Sequence, residues 1–228
     1  MKILSMDTSN QALSVALVDG LSLIAEFTLT VRKNHSISLM PTIDFMVKSA
    51  GWTPRDIDRI VVAKGPGSYT GLRVAVATAK TLAYSLGCEI VGISSLRSLV
   101  PEGLGGTVVP VINARRNHVY AGFYVDGDPV REDTYIDFED LLQDLSLVEG
   151  EIYLVGEIAA FQEQIEASPL HLHAIETLPS ALDLAMLGQT LPTEDVLSFE
   201  PSYLKRVEAE EKWLESHEEG TQPYIQRL

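Results

Sequence analysis

Short apolar strands and apolar helices alternate along this chain, and the alternation starts over near its middle. Residues 2–7 and 12–18 are apolar runs of strand length, and Asp19-Gly20 turns the second of them into a strand at 22–30. From a cap at Asn34 or Ser36 to about Ala50, the residues Leu39, Met40, Ile43, Met46, Val47 and Ala50 recur at spacings of three and four. That spacing predicts an amphipathic helix, ended by Gly51 and compatible with Pro41 only if the proline lies in its first turn. A buried strand at 60–63, a helix at 72–86 stopped by Gly87, and a strand at 89–93 follow.

The order then repeats. Strands at 107–113, 117–125 and 130–136 form a second meander around Asp126-Gly127, followed by helices near 138–147, 159–167 and 181–190 and strands at 152–155 and 171–174. Two lobes, residues 1–103 and 104–200, are the simplest account, with 201–228 as a C-terminal segment. Between Val207 and Glu219 that segment carries six glutamates and one lysine, the pattern of a solvated acidic helix.

Composition narrows the picture. The 228 residues are 46% hydrophobic, enough for a sizeable core, and no run approaches the roughly 18 apolar residues that cross a bilayer. Asp7 comes too early for a secretory signal, so a cytoplasmic protein with no membrane partner is expected. Seventeen basic residues against 32 acidic ones leave a net charge of −15, which should repel nucleic acid, so a role in RNA metabolism is expected to work through a partner and not by direct tRNA binding. The one cysteine, Cys88, sits among apolar residues as a structural thiol.

Three stretches bear on chemistry. In Gly65-Pro66-Gly67-Ser68-Tyr69-Thr70-Gly71-Leu72-Arg73 the lysine of a phosphate-binding P-loop is missing, so the turn either offers helix N-terminal amides to an anion or packs closely against another backbone. Asp7-Thr8-Ser9, an acid and two hydroxyls after the first strand, reads either as a polar turn or as a degenerate phosphate turn that would take ATP or ADP with magnesium. The histidines have no metal-binding spacing, and no Gly-x-Ser-x-Gly elbow is present. The helix at 72–86 is apolar nearly all round and must be covered all round: either Val76, Ala79, Lys80 and Ala83 face a partner chain, with Met40 and Val47 as adaptable contacts on the preceding helix, or the second lobe or the C-terminal tail covers it.

The glycine stretch, continued by Ala77-Thr78-Ala79-Lys80-Thr81-Leu82-Ala83, resembles the TsaB (YeaZ) family of bacterial tRNA threonylcarbamoyladenosine proteins. Met6-Asp7-Thr8-Ser9, His35-Ser36, Asn113-Ala114-Arg115-Arg116 and Pro201-Ser202-Tyr203-Leu204 fit the family in the same order, over about 200 residues. The resemblance implies a two-lobed α/β fold of the actin-like, Hsp70-like, sugar-kinase-like (ribonuclease H-like) type, with a βββαβα unit in each lobe. It implies a partner of the catalytic paralogue TsaD, with the ATPase TsaE completing a complex that modifies adenosine 37 of tRNAs reading codons that begin with A. The histidine pair that holds the metal in TsaD-like chains falls here on Ser95 and Leu99, so no metal or catalytic site is expected. The expected interface comprises His35, Met40, Ile43, Val47, Leu72, Val76, Ala79, Lys80 and Ala83, and in isolation it would make a homodimer. The competing reading is a nucleotide-binding protein with weak ATPase activity, or a metallopeptidase-like hydrolase.

Overall fold

A computed structural model describes residues 1–30 and 35–205. The helix cap expected at Asn34 and the acidic stretch at 207–219 lie outside the described residues. The first sheet contains β1 (Lys2–Asp7), β2 (Ala12–Asp19), β3 (Ser22–Thr30), β4 (Arg59–Gly65) and β5 (Glu89–Ser94) in the order β3-β2-β1-β4-β5. The second contains β6 (Thr107–Arg115), β7 (His118–Val125), β8 (Asp128–Asp137), β9 (Ile152–Gly156) and β10 (His173–Glu176) in the order β10-β9-β6-β7-β8. Read from the meander edge, both sheets follow one plan: an antiparallel meander, then two parallel strands reached through helices. This is the two-lobed actin-like, ribonuclease H-like fold, and the repeat of pattern in the sequence is a repeat of structure.

Helices α1 (His35–Ser49) and α2 (Tyr69–Leu86) cover one face of the first sheet. Leu39, Ile43, Met46 and Val47 of α1 join Ala75, Val76, Ala79 and Ala83 of α2 over Leu4, Met6, Ile60 and Val62. The small residues of α2 let it lie close on the sheet. Ser68 caps its start, its hydroxyl accepting the Gly71 N–H, and Gly87 ends it in the left-handed conformation (φ +67°). Pro41 is the seventh residue of α1 rather than part of its first turn; it is exposed, and the helix runs on through it. In the second lobe α3 (Phe138–Leu145) packs Phe138, Leu141 and Leu145 against Val109, Val111 and Leu154. The short α4 (Gln162–Ala167) continues a 3₁₀ turn, so the helix expected at 159–167 is split.

The boundary between the lobes differs from the one read from sequence. Helix α5 (Ala181–Gly188) crosses back and covers the other face of the first sheet, with Leu184 and Ala185 on Ile3, Val18, Val61 and Val91. The chain stays there: Glu194 N–H donates to the Ile90 carbonyl, Phe199 is buried in the first core, and Ser202 N–H donates to the Lys64 carbonyl. Residues 181–203 therefore belong structurally to the first lobe. Gly188 shows how close the return is, since a Cβ there would overlap the side chain of Val61.

Candidate functional site

The glycine loop and the Asp7-Thr8-Ser9 turn meet at the floor of the interlobe cleft, and they meet backbone to backbone. Ser68 N–H donates to the Ser9 carbonyl at 2.6 Å, and Thr8 Oγ1 donates to the Gly71 carbonyl at 2.7 Å. A Cβ at Gly67 would overlap the Ser9 carbonyl oxygen, one at Gly71 the Thr8 carbonyl oxygen, and one at Gly65 the carbonyl oxygen of Ser202. Three glycines thus allow one loop to be clamped between the turn and the returning C-terminal segment. Of the two readings left open by the sequence, close backbone packing is the one the structure realises.

That packing takes the side chains of Asp7, Thr8 and Ser9 out of reach of a phosphate. All three are fully buried. The Asp7 carboxylate already receives Ser9 N–H and the Ser98 hydroxyl, each at 2.7 Å, and burial holds the carboxyl above its ordinary pKa despite those hydrogen bonds. Ser9 Oγ is buried without a well-formed hydrogen bond. A nucleotide phosphate and its magnesium need accessible donors and an exposed carboxylate. These residues therefore do not fit the ATP or ADP site that the sequence suggested. The positions matched to the TsaD metal pair are equally committed: Ser95 Oγ accepts the Gly65 N–H, and Leu99 lies in an apolar cluster with Leu96, Val108 and Val155. Among the described residues no group of three or more His, Cys, Asp and Glu side chains could hold a metal ion.

The cleft above this floor has a volume of about 840 Å³ and is lined from both lobes. Glu157 joins the two, accepting Gln11 N–H (3.1 Å) from the first lobe and Asn113 N–H (2.9 Å) from the second. Burial raises its carboxyl above the ordinary range, while those two N–H groups pull it back. His35 Nε2 is 3.0 Å from the Asn10 carbonyl, so this expected interface residue ties the start of α1 to the turn at the cleft. At the cleft's rim the β6–β7 turn holds Arg115, Arg116 and Asn117 all at positive φ (68°, 50° and 61°). Three non-glycine residues in succession at positive φ are unusual, and the sequence carried no sign of it.

Burial corrects the expected partner face. Ile43, Val47, Val76, Ala79 and Ala83 point into the first lobe's own core, and Leu72 is buried as well. Lys80 is also engaged within the chain, its Nζ donating to the Leu197 and Phe199 carbonyls at 2.7 and 3.0 Å. Of the expected set Met40 is exposed, and it adjoins a stripe that the sequence reading passed over: Ile37, Pro41 and Phe45 at every fourth residue of α1, with Ile37 66% and Phe45 67% exposed. Tyr84 on α2 adds a ring 71% exposed. The exposed apolar surface therefore includes Met40 but lies away from the buried residues of the expected set.

The chain matches the family model "TsaD: tRNA N6-adenosine threonylcarbamoyltransferase" over residues 23–213. It is similar to the tRNA threonylcarbamoyladenosine biosynthesis protein TsaB of Bacillus subtilis, 37% identical over 95% of this chain and 99% of that protein. To the protein of the same name from Haemophilus influenzae it is 27% identical, over 89% and 93% of the two chains. Among solved structures, YeaZ from Pseudomonas aeruginosa superposes with a TM-score of 0.75, covering 89% of this chain and 99% of that one at 24% identity, which speaks for the shared fold. With its full-length kinship to the Bacillus protein and its TsaD-type domain, the chain belongs to the TsaB (YeaZ) family.

Proposed function

We propose that this chain serves the formation of N6-threonylcarbamoyladenosine in tRNA as a noncatalytic subunit that binds and activates a TsaD-type transferase. The names of its relatives supply the pathway. The observation that supports the noncatalytic part is the clamp of Gly67 and Gly71 on Thr8 and Ser9, beneath which Asp7, Thr8 and Ser9 are fully buried and offer no open side chain to a nucleotide phosphate. The exposed stripe Ile37, Pro41 and Phe45 with Met40 on α1, and the exposed Tyr84 ring on α2, support a partner surface on these helices. In isolation the same stripe would pair with a second copy, and a TsaE-like ATPase would join the larger complex. Size exclusion of the chain with and without a TsaD-type subunit, together with calorimetry against ATP and magnesium, tests this. A heterodimer and no nucleotide binding by the chain alone are expected. Tight binding and turnover of ATP by the chain alone would overturn it.

A further inference from the structure

The mouth of the interlobe cleft carries a row of rings and cations on a chain that is otherwise acidic. On the first-lobe side Tyr69 and Tyr203 face each other with centroids 5.0 Å apart. The Arg73 guanidinium lies 4.4 Å from the Tyr69 centroid, and its Nε donates to the Tyr203 hydroxyl. Two residues further along the chain, Lys205 lies over the ring of Tyr135 and donates to its hydroxyl at 2.9 Å. Tyr135 in turn stacks on His118 at 4.8 Å, and His118 leads back to the Arg115 turn at the rim. Tyr69 and Arg115 line the same cleft from opposite lobes, so the row spans it.

We propose that this row is a binding surface for single-stranded RNA, with bases stacking on Tyr69 and Tyr203 and phosphates meeting Arg73 and Arg115. On the function proposed above, on which this rests, that RNA is the loop of the tRNA undergoing modification. The chemistry is that of sequence-tolerant single-strand binding: rings offer a face to any base, and interleaved guanidinium groups follow the backbone. Tyr69 and Tyr203 are 37% and 41% exposed, so part of each ring is open to a base beside the Arg73 guanidinium; an acidic protein segment would meet the same cations, and the test below separates the two. The net charge of −15 argues for weak binding by the chain alone. It does not forbid a local contact, because at physiological salt charges more than about 8 Å away are largely screened. The left-handed backbone at Arg115 and its two successors holds that turn in a conformation which costs free energy, as turns that place a side chain for binding often do. The expectation that RNA is met only through a partner is revised to a shared surface, part of it on this chain.

The test uses the full-length chain with a TsaD-type subunit and a fluorescein-labelled anticodon stem-loop RNA, read by anisotropy at several salt concentrations. Retention of the TsaD-type subunit is measured in parallel. Tyr203→Ala should weaken RNA binding about tenfold, and Arg115→Ala should weaken it while lowering the slope of log affinity against log salt by about 0.7. Both side chains are exposed, and an unchanged melting temperature confirms that the variants fold. Wild-type affinity and slope in both variants would overturn the proposal, as would loss of the protein subunit in place of the RNA, which would make the row a protein contact. A wild-type chain that retains the subunit without gaining RNA affinity sinks the RNA surface alone; one that binds RNA without the subunit sinks the partner reading alone.

Discussion

Replacing Phe45 by Glu and Val76 by Glu should give two different failures, although both residues sit on the helices assigned to partner binding. Phe45 is 67% exposed. For a side chain of its size that is about 130 Å² of surface, and covering it in an interface at about 25 cal/mol per Å² contributes about 3 kcal/mol. Phe45→Glu therefore weakens association at least about a hundredfold, since a carboxylate placed in the contact adds its own desolvation cost. The chain itself keeps its fold, because nothing of the core is disturbed. Val76 is 3% exposed and lies over the first sheet with Leu4, Met6 and Val62. A carboxylate there is an unpaired buried charge costing about 3–5 kcal/mol, a large part of the 5–15 kcal/mol that holds a domain together. Urea unfolding and size exclusion with the TsaD-type subunit read the two effects separately. A Phe45→Glu chain that still co-elutes at wild-type strength, or a Val76→Glu chain that is as stable as wild type and loses only its partner, would refute the assignment of faces.

Gly71→Ala should destabilise the chain by about 3 kcal/mol in urea unfolding, because the new methyl meets the Thr8 carbonyl. Gly20→Ala, with open space around it and only its φ of +58° against it, should cost about 1 kcal/mol. Lys80→Ala strands the Leu197 and Phe199 carbonyls and should cost about 1–2 kcal/mol while speeding proteolysis within 189–202; unchanged cleavage would show that the Lys80 bonds do not hold the segment. The Asp133 carboxyl, which accepts from the Ser94 hydroxyl across the lobes, is raised by burial above its ordinary pKa against its bonds to Ser94 and Tyr124. The folded state thus binds that proton more tightly than the unfolded chain. Its contribution to stability is greatest below about pH 4 and is lost as the pH rises through the folded value. The stability of wild type minus that of Asp133→Asn should therefore fall from pH 4 toward neutrality, and a pH-independent difference would contradict this.

The order of strands and helices was legible because each element carries its own period and punctuation, as at Asp126-Gly127, where both residues sit at positive φ in the β7–β8 turn. Which sheet an element covers is not written locally. Helix α5 is as apolar as a second-lobe helix would be, and only its docking on Ile3 and Val61 places it in the first lobe. The inner and outer faces of α2 were likewise indistinct in sequence, since alanines stand on both: Ala79 is buried and Ala77 exposed. The turn at Asp7 misled in the opposite direction, because a carboxylate and two hydroxyls suggest solvent and a ligand. Their partners, Gly71, Ser68 and Ser98, lie more than 55 residues away. The cleft-mouth row escaped notice for the same reason, its rings coming from α2, β7, β8 and the C-terminal segment.

Whether this chain acts by contact or by chemistry of its own is decided by reconstituting threonylcarbamoyl transfer to tRNA with a TsaD-type subunit, a TsaE-like ATPase, and either wild-type chain, Phe45→Glu or Ser9→Ala. Full activity is expected with wild type and with Ser9→Ala, whose hydroxyl makes no well-formed hydrogen bond, and loss of stimulation with Phe45→Glu. Activity that survives Phe45→Glu but collapses with Ser9→Ala, at unchanged stability, would contradict action by contact.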